Sequence, residues 1–411
     1  MIANRVEKHV IKENDKYYPM LCDFMHKSKN LYNHANYIVR NEFVKNGKWI
    51  RYFDLCKMLR ADEEYDDFRQ MPCSASAQET LRVLDQNWKS FFRAIKEWSK
   101  NKEKFKGRPK LPGYKPKDGY FNLMLTYVAC RLKDNILVFP KTFNGLTIKP
   151  QFVEKDNFVS FQQVRFLPRY KHIVVELVYR VNIPDTKLSD NGRYLGVDIG
   201  IDNLATVVNN FGAEPIVIDG RSLKSINQFY NKKISHYRGV AKRMNDMNYT
   251  RRMGRLTNKR NAKINDYMHK ASLKLINYAL ENGANTIVIG YNKGWKQESE
   301  LSKQVNQFFV GIPSQRFIEM VQYKAENVGL NVVLTEESYT SGTSFLDEED
   351  PVKENYDKSR RIYRGLFMSN NGIKINADVN GAYQIMKKAF PDAFAKGIEG
   401  AWLHPVRVNV L

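Results

Sequence analysis

The spacing of short apolar runs in the second half of the chain constrains the fold most. After PDTKLSDNGR come three strand-like runs in succession, YLGVDIG, NLATVVNN and EPIVIDG, then a long helical stretch, the run TIVIG, another helix and the run NVVLTEE. Three strands followed by alternating helices and strands predict an α/β layer. The first half reads differently. Residues 20–100 carry Leu81, Leu84, Trp88, Phe91, Phe92, Ile95 and Trp98 at three- and four-residue intervals, the pattern of a helical module. From Tyr120 to Pro184 short runs such as NILVFP, GLTIKP and HIVVELVYR predict a small antiparallel β-barrel or sheet. Ile2–Ile11 is extended enough to join it, which makes the helical module an insertion. The expected class is α+β and multidomain.

The chain has 411 residues and a net charge of +22, so a folded form needs an acidic partner to relieve its self-repulsion. Nucleic acid fits better than an anionic membrane, because the charge is spread over several segments rather than gathered on one amphipathic helix. SKNKEKFKGRPKLPGYKPK, Ser99–Lys117, has eight Lys/Arg against one Glu and is interrupted by Gly and Pro, so it reads as a basic extended loop. Lys104, Lys106, Arg108, Lys110 and Lys115 are its candidate phosphate contacts. Between Arg221 and Lys270 there are 14 Lys/Arg against Asp246 and Asp266, too one-sided for balanced helical ion pairs. Arg251, Arg252, Arg255, Lys259 and Arg260 are the candidates there. Phe105, Tyr114, Tyr237 and Tyr249 could stack on bases or pack in the core. No run approaches a membrane span, and the first residues lack a secretory pattern, so a soluble cytoplasmic protein is expected. Cys22, Cys56, Cys73 and Cys130 never form C-x-x-C and the seven histidines are dispersed, which excludes a zinc ribbon and a dense disulfide framework.

Hydrolysis of a phosphodiester by two metal ions needs carboxylates converging from separate elements. Asp198 interrupts the apolar run YLGVDIG, flanked by Gly196 and Gly200, which allow close backbone approach. Asp378 follows Asn376, a candidate helix cap, and so falls in a first helical turn. The order of strands and helices around them is that of a ribonuclease H-like domain.

YLGVDIGIDNLATVVNN, NKGWKQ after TIVIG, IPSQRFIEMVQYKAE, SYTS after a strand, and NADVNGAYQI occur in this order in a family that the chain resembles, TnpB. KFKGRPKLPGYK extends the likeness into the first half. The family comprises transposon-encoded, RNA-guided nucleases related to type V CRISPR effectors. The resemblance implies a RuvC-like nuclease domain over residues 191–337 and 376–411, and a β-barrel wedge module over 1–18 and 102–190. It also implies an inserted helical recognition module over 19–101. The implied partners are a guide RNA and target double-stranded DNA beside a short flanking motif, in a bacterial or archaeal cytosol; a monomer is favoured. The implied cofactor is Mg2+, with Mn2+ as a substitute, and Asp198 and Asp378 take the first and last carboxylate roles.

Two departures follow. Gly290 stands where the family carries its middle glutamate, and the neighbouring run ends in Glu336 and Glu337, one of which is expected to replace it as a metal ligand. Residues 338–375 contain no cysteine, so the zinc ribbon of many relatives gives way to a zinc-free insertion. There Asp347–Asp350 reads as a solvated turn, and Lys358, Arg360, Arg361 and Arg364 as a nucleic-acid-facing patch. The competing functions are a guided DNA-binding repressor that no longer cuts, which Gly290 would explain, and a structural RNA-binding protein.

Overall fold

The computed structural model describes residues 1–184, 188–245, 247–292, 311–395, 397 and 401–410. Asp246 and all but the first residue of NKGWKQ lie outside them. The chain divides into two compact units, Met1–Asn182 and Ile183–Leu411, and both mix α and β structure.

In the first unit, β1 (Ile2–Lys12) leads into α1 (Tyr18–Asn46), α2 (Tyr52–Ala61) and α3 (Ser74–Lys100). The strands β2 (Leu123–Thr126), β3 (Arg131–Lys133), β4 (Ile136–Val138), β5 (Thr147–Ile148), β6 (Phe158–Arg169) and β7 (His172–Asn182) follow. β1 pairs antiparallel with β7 from Ile2↔Asn182 to Lys12↔His172, so the helices are inserted between two strands of one sheet. That sheet runs β1-β7-β6-β2, and β3-β4-β5 forms a second. β1 and β2 are edges, so hydrogen bonds do not close the sheet into a ring. Within the helical part, buried Trp88 donates to Asn36 Oδ1 at 3.1 Å, and Asn36 Nδ2 donates to Pro112 O at 3.0 Å. Asn33 exchanges two bonds with the Lys115 backbone, at 2.9 and 2.7 Å. Side chains of α1 thus hold the basic loop extended where it has no ladder of its own.

In the second unit, β8 (Tyr194–Asp198), β9 (Asn203–Asn209) and β10 (Ile216–Asp219) precede α4 (Arg221–Asn245) and α5 (Arg251–Glu281). Then come β11 (Thr286–Gly290), α6 (Ser314–Asn327), β12 (Asn331–Thr335), β13 (Arg361–Tyr363), β14 (Leu366–Met368), β15 (Lys374–Asn376), α7 (Ala377–Ala389) and β16 (Val406–Val408). The main sheet runs β12-β11-β8-β9-β10-β16. β9 is antiparallel to both β8 and β10, whereas β11 is parallel to both β8 and β12. Alternation along the strands sorts the side chains. Leu195, Val197, Ile287 and Ile289 enter the core beneath α5 and α6, which leaves Gly196, Asp198, Val288 and Gly290 for the opposite face. α7 covers that face with Val379, Ala382, Tyr383 and Met386.

The insertion forms a small β13-β14-β15 sheet, and its acidic run is not a solvated turn. Arg360 pairs with Asp347 and, at 2.7 Å, with Glu349, all three side chains being 20% exposed or less. Ser344 N donates to Glu349 Oε2 at 2.7 Å and Asn370 N to Asp347 Oδ2 at 2.9 Å. A buried guanidinium thus gathers the loops of this segment. Arg360→Ala is expected to destabilise the protein by about 3 kcal/mol, because it leaves two carboxylates without their counter-charge. A zinc-selective chelator at constant Mg2+ should leave the melting temperature unchanged; paired thermal melts of the two proteins, each with and without that chelator, check both.

Candidate active site

Asp198 ends β8 on the α7 face, and Asp378 enters from the helix start. Asn376 caps α7, its Oδ1 accepting from Asp378 N at 3.0 Å and Val379 N at 3.1 Å, which fixes Asp378 in the first turn. Helix and strand approach closely because each carries a glycine at the contact. A Cβ on Gly196 would stand 2.5 Å from Ala382 O, and one on Gly381 3.2 Å from Asp198 Oδ2.

Glu337 joins this pair from the turn after β12. Its Oε2 lies 2.9 Å from where a Cβ on Gly290 would stand, and Ile385 fills the rest of that space. Asn292, just beyond β11, accepts from Glu337 N at 3.1 Å and holds the turn. Glu336 turns away: it is exposed, pairs with Lys388 Nζ at 2.5 Å and accepts from Ser338 N at 2.7 Å.

Burial holds the Asp198 carboxyl well above the usual range, and the charges of Asp378 and Glu337 push it further, against the pull of Arg361. Burial, assisted by Glu336, raises Glu337 to about 7. Arg361 Nη2 lies 3.6 Å from Asp378 Oδ1, while Asn203 Nδ2 donates to Asp378 Oδ2 at 2.6 Å. Among the described residues, as the side chains stand, no group of three or more His, Cys, Asp or Glu is arranged to hold a metal ion.

The basic candidates fall into two groups. Lys104, Lys106, Arg108, Lys110, Arg251, Arg252, Arg255 and Lys259 are exposed, with Arg108 5.9 Å from the Trp98 ring and Arg252 4.5 Å from that of Tyr237. Lys115 is half-buried over Tyr32 and Phe121, at 4.7 and 4.9 Å. Two others are corrected by their surroundings. Arg260 is half-buried and donates to Asn227 Oδ1 at 2.6 and 2.8 Å and to Gly311 O at 2.9 Å, so it ties α5 to its neighbours. Arg360 is the centre of the ion cluster described above, its guanidinium occupied by Asp347 and Glu349. Asn203, Asn292 and Lys388 were not anticipated. Only Asn203, one residue from the turn beside Asp198 in DIGIDN, carried a positional signal.

Residues 172–296 match a family model described as a probable transposase, OrfB_IS605, and residues 315–385 match the Cas12f1-like TNB domain. The TnpB-like protein ORF457 of Acidianus two-tailed virus is 24% identical over 398 residues, covering 88% of this chain and 81% of the relative. Among solved structures, a Cas12f1-sgRNA-target DNA complex aligns over 93% of this chain and 98% of its own, with 13% identity and a TM-score of 0.37. An AacC2c1-sgRNA-extended non-target DNA ternary complex aligns over 92% and 69%, with 8% identity and a TM-score of 0.42. The two family models cover β8 with Asp198 and α7 with Asp378, and the viral relative spans most of the chain; together these likenesses support a TnpB family protein.

Proposed function

We propose that the protein is an RNA-guided DNA endonuclease that cuts duplex DNA beside a short flanking motif, with Asp198, Glu337 and Asp378 as its cation ligands. The supporting observation is the convergence of three carboxylates from β8, the turn after β12 and the start of α7 on one face of the sheet. Their partial burial and mutual repulsion favour a cation among them. The donors are all oxygen, with neither sulfur nor imidazole, which suits Mg2+ or Mn2+. When bound there, such ions supply an activated water and stabilise the leaving oxygen. The protein's own contribution is to hold Asp378 by its cap and by Asn203, and to keep Glu337 in the space left by Gly290. The ribonuclease H-like reading of residues 191–337 and 376–411 is supported by the strand order and senses of the main sheet. Residues 1–18 and 102–190, with the helical part 19–101, are assigned to wedge and recognition roles, and 338–375 to a zinc-free insertion.

The guide is inferred from family likeness and charge. The protein should copurify with a structured RNA, and affinity should fall about 10³-fold between about 50 and 200 mM salt if some six phosphates are contacted. Recovery free of nucleic acid from a low-salt lysate would remove the guide. The deciding experiment sequences that RNA and assays Mg2+-dependent cleavage of matching duplex. Guided binding without cutting in either Mg2+ or Mn2+ would make the protein a repressor.

A further inference from the structure

We propose that Arg407 is a positioning residue for Asp378, acting through the carboxamide of Asn203. The inference rests on the reading of Asp378 as a cation ligand. β16 lies parallel to β10 at the sheet edge, with Arg407 opposite Val217. From there Arg407 Nη1 donates to Asp219 Oδ1 at 2.7 Å, and Nη2 donates to Asn203 Oδ1 at 3.0 Å. On the other side of the same carboxamide, Asn203 Nδ2 donates to Asp378 Oδ2 at 2.6 Å.

The chemistry of the three groups allows one orientation. A guanidinium has donors and no acceptor, whereas an ionised carboxylate has acceptors and no donor. Asn203 stands between them, so its oxygen must face Arg407 and its amide must face Asp378. Without Arg407 the carboxamide is free to turn over, and its oxygen would then oppose the carboxylate. Held as it is, it engages Oδ2 and leaves Oδ1 on the side of Arg361. Both ends of the relay are anchored. Arg221 N donates to Asp219 Oδ1 at 3.2 Å, and Gly220 N donates to Asp202 O at 2.9 Å, which ties the start of β9 to the end of β10. A Cβ at Gly220 would overlap Ile201 O, so this junction closes only on glycine. The C-terminal strand thereby reaches a carboxylate that it does not touch.

The test titrates the full chain, stripped of nucleic acid at high salt, with Mn2+ and follows the free-ion signal by electron paramagnetic resonance. Asn203→Ala and Arg407→Gln are each expected to weaken Mn2+ binding about tenfold, the usual loss for a group that orients a ligand. The double variant should bind no more weakly than Asn203→Ala alone, because Arg407 acts through Asn203. A merely structural Arg407 would instead add its loss to that of Asn203. Should Arg407→Gln fail to fold, Arg407→Lys keeps a cation beside Asp219 without the planar fork and should show the same non-additivity. If no Mn2+ binding is lost in Asp378→Ala, the ligand reading fails and this proposal with it. If that binding is present and neither variant weakens it, or the losses add, the role of Arg407 alone is overturned.

Discussion

Asp198→Ala or Asp378→Ala is expected to slow Mg2+-dependent cleavage of guide-matched duplex by about 10³-fold or more, since each removes a carboxylate proposed to hold the cations that activate water and stabilise the leaving oxygen. Binding of guide and target should change little. The exposed lysines and arginines that would hold phosphates lie on the basic loop and on α5, and neither aspartate contributes to them. The measurement pairs single-turnover cleavage with a filter-binding or mobility-shift isotherm on the same preparations. Undiminished cleavage by either variant removes that residue from the site. A parallel loss of binding would mean that the substitution disturbed the fold around α7 rather than the chemistry.

The second large effect separates two adjacent glutamates. Glu337→Gln should reduce cleavage by about 10²-fold or more, because its carboxylate lies with Asp198 and because glutamine offers a single neutral oxygen. Glu336→Gln should stay within about twofold: its carboxylate is exposed, and losing a surface pair with Lys388 costs little. Gly290→Glu should not raise activity. A side chain there meets Ile385 and the Glu337 carboxylate at once, so restoring the family's middle residue would crowd out its substitute. Comparable rates for the two glutamine variants would overturn the assignment of Glu337.

The sequence pattern and the structure agree where local rules decide. The extended runs of β1 and β7 and the Asn376 cap before Asp378 follow from residue type and spacing within a few positions. They part where neighbours distant in sequence decide. Glu336 and Glu337 lie past the last paired residue of β12, so strand alternation alone could not say which turns inward; Asn292 and Lys388 do. Arg360 and Arg361 are adjacent and chemically identical. One is buried between Asp347 and Glu349 and the other stands beside Asp378, because the insertion folds around the first. Arg407 sits in a three-residue strand whose pattern carries no signal until β10 is beside it.

The contact between Gly196 and the carbonyl of Ala382 bears on how such a site changes over generations. Main chain meets main chain there, so the separation of the strand that carries Asp198 from the helix that carries Asp378 is not adjustable by a new rotamer or a neighbouring cavity. A methyl group at 196 can be admitted only by moving α7 as a body, and Asp378 would travel with it. The GVDIG and NADVNGA segments therefore constrain each other, each admitting only what the main-chain contact permits. Glu337 and Arg361 come from segments outside that contact, so what fixes them is their charge beside Asp198 and Asp378 rather than this main-chain approach.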